Sequence, residues 1–195
     1  MKKMVGIVFE IMDEETLKAA IFLDRDGVLT IERGYICKID EVELFPYASE
    51  CINCIHEKGY VAIVITNQSG VARGLFQEEE LQALHDRIIK ATGVDAIYYC
   101  PHYIKGIVSR YSISCNCRKP NIGLIERAQK DFEIDLKKSY MVGDRATDIQ
   151  TGRNAGLRTV LLESGYGSGD LNQQIQADYT VKDLKVFIDM ILGAK

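Results

Sequence analysis

Five short apolar runs divide the chain, and each ends on a polar residue or a glycine where a longer amphipathic stretch takes over. Residues 20–23 end at Asp24, 60–66 at Asn67, 96–99 at Cys100, 140–142 at Gly143-Asp144 and 158–162 at Glu163. Strands that are apolar throughout, rather than alternating, belong to sheets covered on both faces, the parallel arrangement of α/β proteins. The stretches between them read as helices. Residues 47–58 are stopped by Gly59, 77–92 by Gly93, and 122–132 open just after Pro120. Residues 146–155 are closed by Gly156, and 182–192 form a C-terminal helix. Such alternation predicts right-handed crossovers and a doubly wound, mainly parallel sheet. Ligands of these sheets bind beyond the carboxyl ends of the strands. Asp24, Thr66-Asn67 and Gly143-Asp144 are therefore expected to converge. Residues 1–19 are expected to add an edge strand and a helical turn, whereas 100–119 read as a long loop that calls for a special explanation.

Each strand end carries side chains suited to phosphoryl chemistry. Phe22-Leu23-Asp24-Arg25-Asp26-Gly27 sets two carboxylates at i and i+2 on a strand end, so that both point the same way. One can attack as the other moves a proton, and an ionised carboxylate needs no base for the attack. It does need a cation to relieve its repulsion with a phosphate, and Mg²⁺ is commonly held by one or two carboxylates plus substrate phosphate. Alone, the run could equally be a polar turn; Leu29 and the lack of flanking helices disfavour a calcium loop. Thr66-Asn67-Gln68-Ser69-Gly70 offers a hydroxyl and backbone N–H groups for phosphate oxygens. Arg118-Lys119-Pro120 puts a cationic pair before a helix, able to neutralise a phosphoryl group. In Gly143-Asp144-Arg145-Ala146-Thr147-Asp148, Asp148 follows Asp144 by one helical turn on the same face.

Cysteine usage carries a second signal. Three of the six cysteines cluster with a histidine as Cys100-Pro101-His102 and Cys115-Asn116-Cys117, a Cys₃His set typical of tetrahedral zinc. With all four ligand positions filled, a structural zinc is expected, fixing the loop 100–117 that ends at Arg118 and Lys119. Cys51 and Cys54 read as helix core, Cys37 has no assignable partner, and His56 and His85 read as helix-surface residues. Gly165-Tyr166-Gly167-Ser168-Gly169 reads as a flexible linker, because a dinucleotide fingerprint needs an immediately following helix.

Charge narrows the partners. Lys+Arg 24 against Asp+Glu 28 gives −4, which argues against a nucleic-acid coat. No apolar run approaches the ~20 residues of a membrane span. The apolar stretch after Met1-Lys2-Lys3 contains Glu10 and no small-residue cleavage site. A cytoplasmic protein with reduced thiols, no membrane and no nucleic acid, is the expectation. It is read as a single domain over 1–195 and as a monomer.

In this order the four motifs resemble the haloacid dehalogenase-like phosphatase superfamily, whose fold is a Rossmann-like core. The segment between Val28 and Tyr60 is too short for a large cap. The resemblance implies Asp24 as nucleophile, Asp26 as general acid and then base, and Thr66 and Lys119 as stabilisers of the transferring phosphoryl group. Asp24, the backbone carbonyl of Asp26, and Asp144 would hold Mg²⁺, with Asp148 in support. FLDRDG, TNQSGVARG, CPH and CxCRKP narrow the resemblance to the D-glycero-D-manno-heptose-1,7-bisphosphate 7-phosphatase family, related to histidinol-phosphate phosphatases. That family removes the C7 phosphate of a sugar bisphosphate in nucleotide-activated heptose biosynthesis. By that likeness Glu32, Arg33, Gly34, Tyr35, Asn67, Gln68, Ser69, Arg118 and Arg145 would contact the phosphorylated sugar. Histidinol phosphate or another small sugar phosphate is the alternative substrate. The chain departs from the family at Thr30, Tyr103 and Arg145, where Asn, His and Lys are usual.

Overall fold

A computed structural model describes residues 17–35, 41–166 and 176–193. The strands are β1 (Ala20–Leu23), β2 (Val61–Asn67), β3 (Ala96–Cys100), β4 (Tyr140–Gly143), β5 (Arg158–Leu162) and β6 (Tyr179–Val181). The helices are α1 (Ala48–Glu57), α2 (Glu78–Thr92), α3 (Gly123–Phe132), α4 (Ala146–Asn154) and α5 (Leu184–Phe187). All six strands pair in parallel in the order β3-β2-β1-β4-β5-β6. The doubly wound expectation holds, with the switch in chain direction falling between β1 and β4.

Strand residues alternate between two apolar layers. Ile21, Leu23, Val64 and Val142 pack with Ile52 and Ile55 of α1 and Phe187 of α5. Phe22, Ile63, Ile65 and Met141 pack with Leu124, Ile125 and Ala128 of α3. Burial on both faces explains why the central runs carry no polar alternation. The edges differ most: β3 is half-buried over most of its length, and β6 exposes two of its three residues. The sequence pattern missed β6, because a three-residue edge strand has no apolar run to reveal it.

The C-terminal segment also departs from expectation. In place of one helix over 182–192, α5 starts at Leu184, capped by the Asp183 side chain accepting from Val186 N–H at 2.9 Å, and passes into a π turn over Ile188–Leu192. Of the region expected before β1, residues 1–16 lie outside the described residues, while Lys18 bridges to Ile134. Between β1 and α1 Phe45 N–H donates to Leu29 C=O at 3.0 Å and folds the segment back. No helix among the described residues is long and apolar enough to cross a membrane.

Register levels the ends that matter. Leu23 pairs with both Val64 and Val142, so Asp24, Thr66 and Asp144 emerge on one rim. At the opposite end, buried Ser139 accepts from Ala20 N–H at 2.9 Å and donates to Asp135 C=O at 2.6 Å. Ser139→Ala orphans that buried N–H at the start of β1. It is expected to lower unfolding free energy by about 1–3 kcal/mol in urea titrations while leaving catalytic rates unchanged.

Candidate active site

The rim beyond β1, β2 and β4 surrounds an open cavity of about 520 Å³. At its floor lies a cluster of buried charges. Lys119 Nζ is 2.9 Å from Asp24 Oδ1 and 2.6 Å from Asp148 Oδ1. Burial alone would lower the ammonium's pKa, but the carboxylates of Asp148 and Asp24 outweigh it and hold the pKa above the usual lysine value. Asp148 Oδ2 accepts from Arg145 N–H at 3.1 Å, so both its oxygens are engaged. It orients Lys119 and closes the first turn of α4.

Asp144 is different. One oxygen accepts from Tyr166 N–H at 2.8 Å, while Oδ1 is buried without a partner. Burial, then the charge of Asp24, push its pKa up to about 7, and burial pushes Asp148 up to about 6. An oxygen from each of Asp24, Asp144 and Asp148 lies within 4.8 Å of the others. Because Asp148 is occupied by Lys119 and the backbone, a divalent cation here would take Asp24 and the orphaned oxygen of Asp144. Backbone shape protects this spot. Gly27 has φ +80°, and a Cβ on Gly27 or Gly165 would come within 2.4 or 1.9 Å of Asp144 Oδ2.

Asp26 sits beside the cluster with four donors. Arg25 Nε and Nη2 reach its two oxygens at 2.9 Å each, Thr30 Oγ1 at 2.9 Å and Gln68 Nε2 at 3.1 Å. Burial would raise its pKa, but the Arg25 charge and these hydrogen bonds together set it below the usual carboxylate value. Thr30, one of the departures from the family pattern, thus supports Asp26 directly. Gln68 also donates to Thr66 Oγ1 at 3.0 Å, tying β2 to the β1 end.

Asn67 clamps the loop that delivers Lys119. Its amide donates to Lys119 C=O at 3.1 Å and accepts from Lys119 N–H at 3.0 Å. The residues just upstream bring four soft donors together. Sγ separations are 3.5 Å for Cys100–Cys115, 3.2 Å for Cys100–Cys117 and 3.3 Å for Cys115–Cys117. His102 Nδ1 lies 3.3 Å from Cys117 and 3.7 Å from Cys100. Tetrahedral zinc with bonds of about 2.3 Å to sulfur and 2.0 Å to nitrogen has edges of roughly 3.5–3.8 Å. The four donors fit that geometry after a slight expansion.

Arginines line the cavity wall. Arg145 stacks at 3.7 Å over the Tyr166 ring and lies 3.6 Å from Glu32. Arg73 lies 4.2 Å over Tyr103 and 5.4 Å from Tyr35, its Nε without a partner, and Arg118 lies 5.2 Å from the Tyr103 ring. Of the residues expected to contact the sugar, Glu32, Gly34, Tyr35, Ser69 and Arg118 line the cavity. Arg33 does not: it is exposed and ion-paired with Glu43. Arg73, Tyr103 and Tyr166 line it although sequence reasoning assigned them no role; Arg73 lay within a motif already quoted.

Two further expectations change. His85 is buried, 4% exposed, with Nε2 3.2 Å from Arg25 Nη1, and not on a helix surface. Its helix packs that flank against the β1 loop, a contact no periodicity reveals. Gly165-Tyr166 is no linker, since Ser164 Oγ donates to Gly27 C=O and Tyr166 N–H to Asp144. Gly167, Ser168, Gly169 and Cys37 lie outside the described residues. Cys51 is buried and Cys54 half-buried, in keeping with a packing role.

A parallel sheet ending in this acid–lysine–acid cluster defines a haloacid dehalogenase-like hydrolase. The family profile described as "HAD-hyrolase-like" matches residues 116–187. The chain is 44% identical over 168 residues to D-glycero-alpha-D-manno-heptose-1,7-bisphosphate 7-phosphatase of Photorhabdus laumondii, covering 82% of this chain and 90% of the relative. It is 42% identical over 155 residues to the beta-heptose enzyme of Haemophilus ducreyi, covering 76% and 85%. Among solved structures, D,D-heptose 1,7-bisphosphate phosphatase from B. bronchiseptica, complexed with magnesium and phosphate, superposes with TM-score 0.79 at 30% identity, covering 90% of this chain and 98% of that one. The chain belongs to the D-glycero-D-manno-heptose-1,7-bisphosphate 7-phosphatase family of phosphatases.

The raised acids give a signed pH dependence. A carboxyl whose folded pKa exceeds its unfolded value of about 4 removes stability as pH rises between the two. Protein dialysed free of magnesium is therefore expected to lose stability between about pH 4 and pH 8, as Asp148 and then Asp144 ionise. Added Mg²⁺ at about pH 8 should restore it, and Asp144→Asn should remove most of the slope. Urea unfolding across that range measures both.

Proposed function

We propose that this chain hydrolyses the C7 phosphate ester of D-glycero-D-manno-heptose 1,7-bisphosphate through an aspartyl-phosphate on Asp24. The observation that carries the reading is the orphaned Asp144 oxygen beside Asp24, buried at the base of a cavity walled by arginines. Asp24, Asp144 and the backbone carbonyl of Asp26 are the residues to hold Mg²⁺. That ion supplies charge neutralisation, letting the anionic nucleophile approach an anionic ester.

The protein's own groups do the rest. Asp24 Oδ1 accepts from Arg25 N–H at 2.7 Å and faces Lys119, which leaves Oδ2 to attack phosphorus. As the new O–P bond forms, the P–O bond to C7 breaks, and the leaving alkoxide takes a proton from Asp26. Water then attacks phosphorus of the acyl phosphate while Asp26 takes its proton. Phosphate departs, and the Asp24 carboxylate is restored. Lys119 and Thr66 stabilise the equatorial oxygens in both transfers. With its four donors, Asp26 stands in the proton-accepting form that the second transfer uses. Its donor role in the first calls for substrate to displace some of those bonds.

Arg73, Arg118 and Arg145 favour a second phosphate over a cationic tail. The bisphosphate is thereby preferred to histidinol phosphate, whose amine would meet three guanidinium groups. The Cys₃His set is assigned to a structural zinc that anchors the loop ending at Lys119. Its thiolates suit a reducing compartment such as the cytoplasm.

Two measurements test this. Phosphate release from both anomers of the heptose bisphosphate, fructose 1,6-bisphosphate and histidinol phosphate should rank a heptose bisphosphate first and require Mg²⁺. Asp24→Asn should lower kcat by about 10³-fold or more without unfolding the protein. A histidinol phosphate preference, or an active Asp24→Asn protein, overturns the assignment. Elemental analysis should find about one zinc per chain. Cys115→Ser should reduce it and lower kcat/KM by about 10²-fold through misplacement of Arg118 and Lys119.

A further inference from the structure

Arg25 is the largest fully buried side chain among the described residues. Its guanidinium spends one edge on Asp26, through Nε and Nη2 at 2.9 Å each. The remaining nitrogen, Nη1, is 3.2 Å from Nε2 of His85 on α2, 60 positions along the chain. Because a guanidinium only donates, Nε2 is the acceptor and the imidazole is neutral, with its proton on Nδ1. The surroundings agree: the ring is buried, tilted 5.2 Å from the Tyr99 ring, and burial followed by the Arg25 charge lowers its pKa to about 3.

A guanidinium is planar, so fixing one terminal nitrogen fixes the direction of the other two donors. We propose that His85 is a positioning residue for the hydrolysis: as a neutral acceptor it sets the plane of Arg25, and Arg25 sets the Asp26 carboxylate. The inference rests on the reading of Asp26 as the proton-transferring group. Thr30 and Gln68 also grip that carboxylate, so removing the His85 acceptor misaligns Asp26 without releasing it. The effect should therefore be moderate and fall on turnover, not on substrate capture. The step most exposed is attack of water on the aspartyl-phosphate, for which Asp26 must face the water.

His85→Gln and His85→Met have similar length, but Gln keeps a neutral oxygen acceptor where the thioether sulfur of Met accepts only weakly. His85→Met is expected to lower kcat about ten-fold with KM changed less than about two-fold. His85→Gln should recover kcat to within about three-fold of the unsubstituted protein. Rapid-quench kinetics of the Met variant should show a burst of dephosphorylated sugar equal to the enzyme present, as hydrolysis falls behind phosphoryl capture. Unchanged kcat in His85→Met, or equal impairment of the Gln and Met variants, overturns the proposal. Should thermal melting show the Met variant unfolded, His85→Asn against His85→Leu makes the same comparison with matched shapes. Asp26→Asn separates the two levels: full activity there overturns the acid–base reading itself, whereas an inactive Asp26→Asn beside a normal His85→Met refutes only the role of His85.

Discussion

One ammonium among three carboxylates, all out of water, is the constraint around which the rest of the structure is arranged. Lys119 touches Asp24 and Asp148, while Asp144 stands close by with an oxygen unsatisfied. A single positive charge cannot balance three buried acids, and desolvation magnifies the shortfall. The raised pKa values of Asp144 and Asp148 are the signature of that imbalance. A divalent cation corrects it, and a bound phosphate becomes tolerable only once the correction is made. Metal binding and substrate binding are thus two parts of one electrostatic problem.

Holding the cluster together takes distant segments. The acids come from the rim at β1 and β4, whose register is fixed by buried strand pairs. Lys119 comes from a loop that crosses from β3, and nothing in the sheet determines where its end falls. Two devices fix it: the Cys₃His cluster upstream and the two-way amide clamp from Asn67. A lysine at the end of an untethered loop would lose several rotors on entering a buried site. The soft-donor cluster draws both ends of that loop together, so a group remote from the reacting atoms bears on where Lys119 lies.

What could be read from the chain follows a physical divide. Strands β1 to β5, the helices over them, the acids at the strand ends and the Cys₃His set were legible, because burial on two faces and ligand spacing both leave local patterns. The Arg25–His85 contact was not legible. It joins a strand end to a helix flank with no local trace, so His85 looked like a surface residue. Arg33 illustrates the reverse case: a charged neighbour of cavity residues that turns outward to Glu43. Gly165-Tyr166 looked like a linker because glycine spacing cannot show that its backbone closes over Asp144.

The acidic balance of the chain conceals how it keeps an anion site. Carboxylates would be the ordinary way to hold arginines in place, and each would cancel the field a phosphate needs. Here the cavity arginines lean on rings and carbonyls. Arg73 and Arg118 share Tyr103, Arg118 also donates to His102 C=O at 3.1 Å, and Arg145 lies on Tyr166. Cation–π contacts of about 0.5–2 kcal/mol orient a guanidinium without neutralising it. Among the described residues Arg145 alone of the three ion-pairs with a carboxylate, Glu32 at 3.6 Å, longer than the hydrogen-bonded pairs of the floor. Tyr103 stands where the family usually carries a second histidine. At that position an aromatic face offers two guanidinium groups a common support, whereas a protonated imidazole there would repel both.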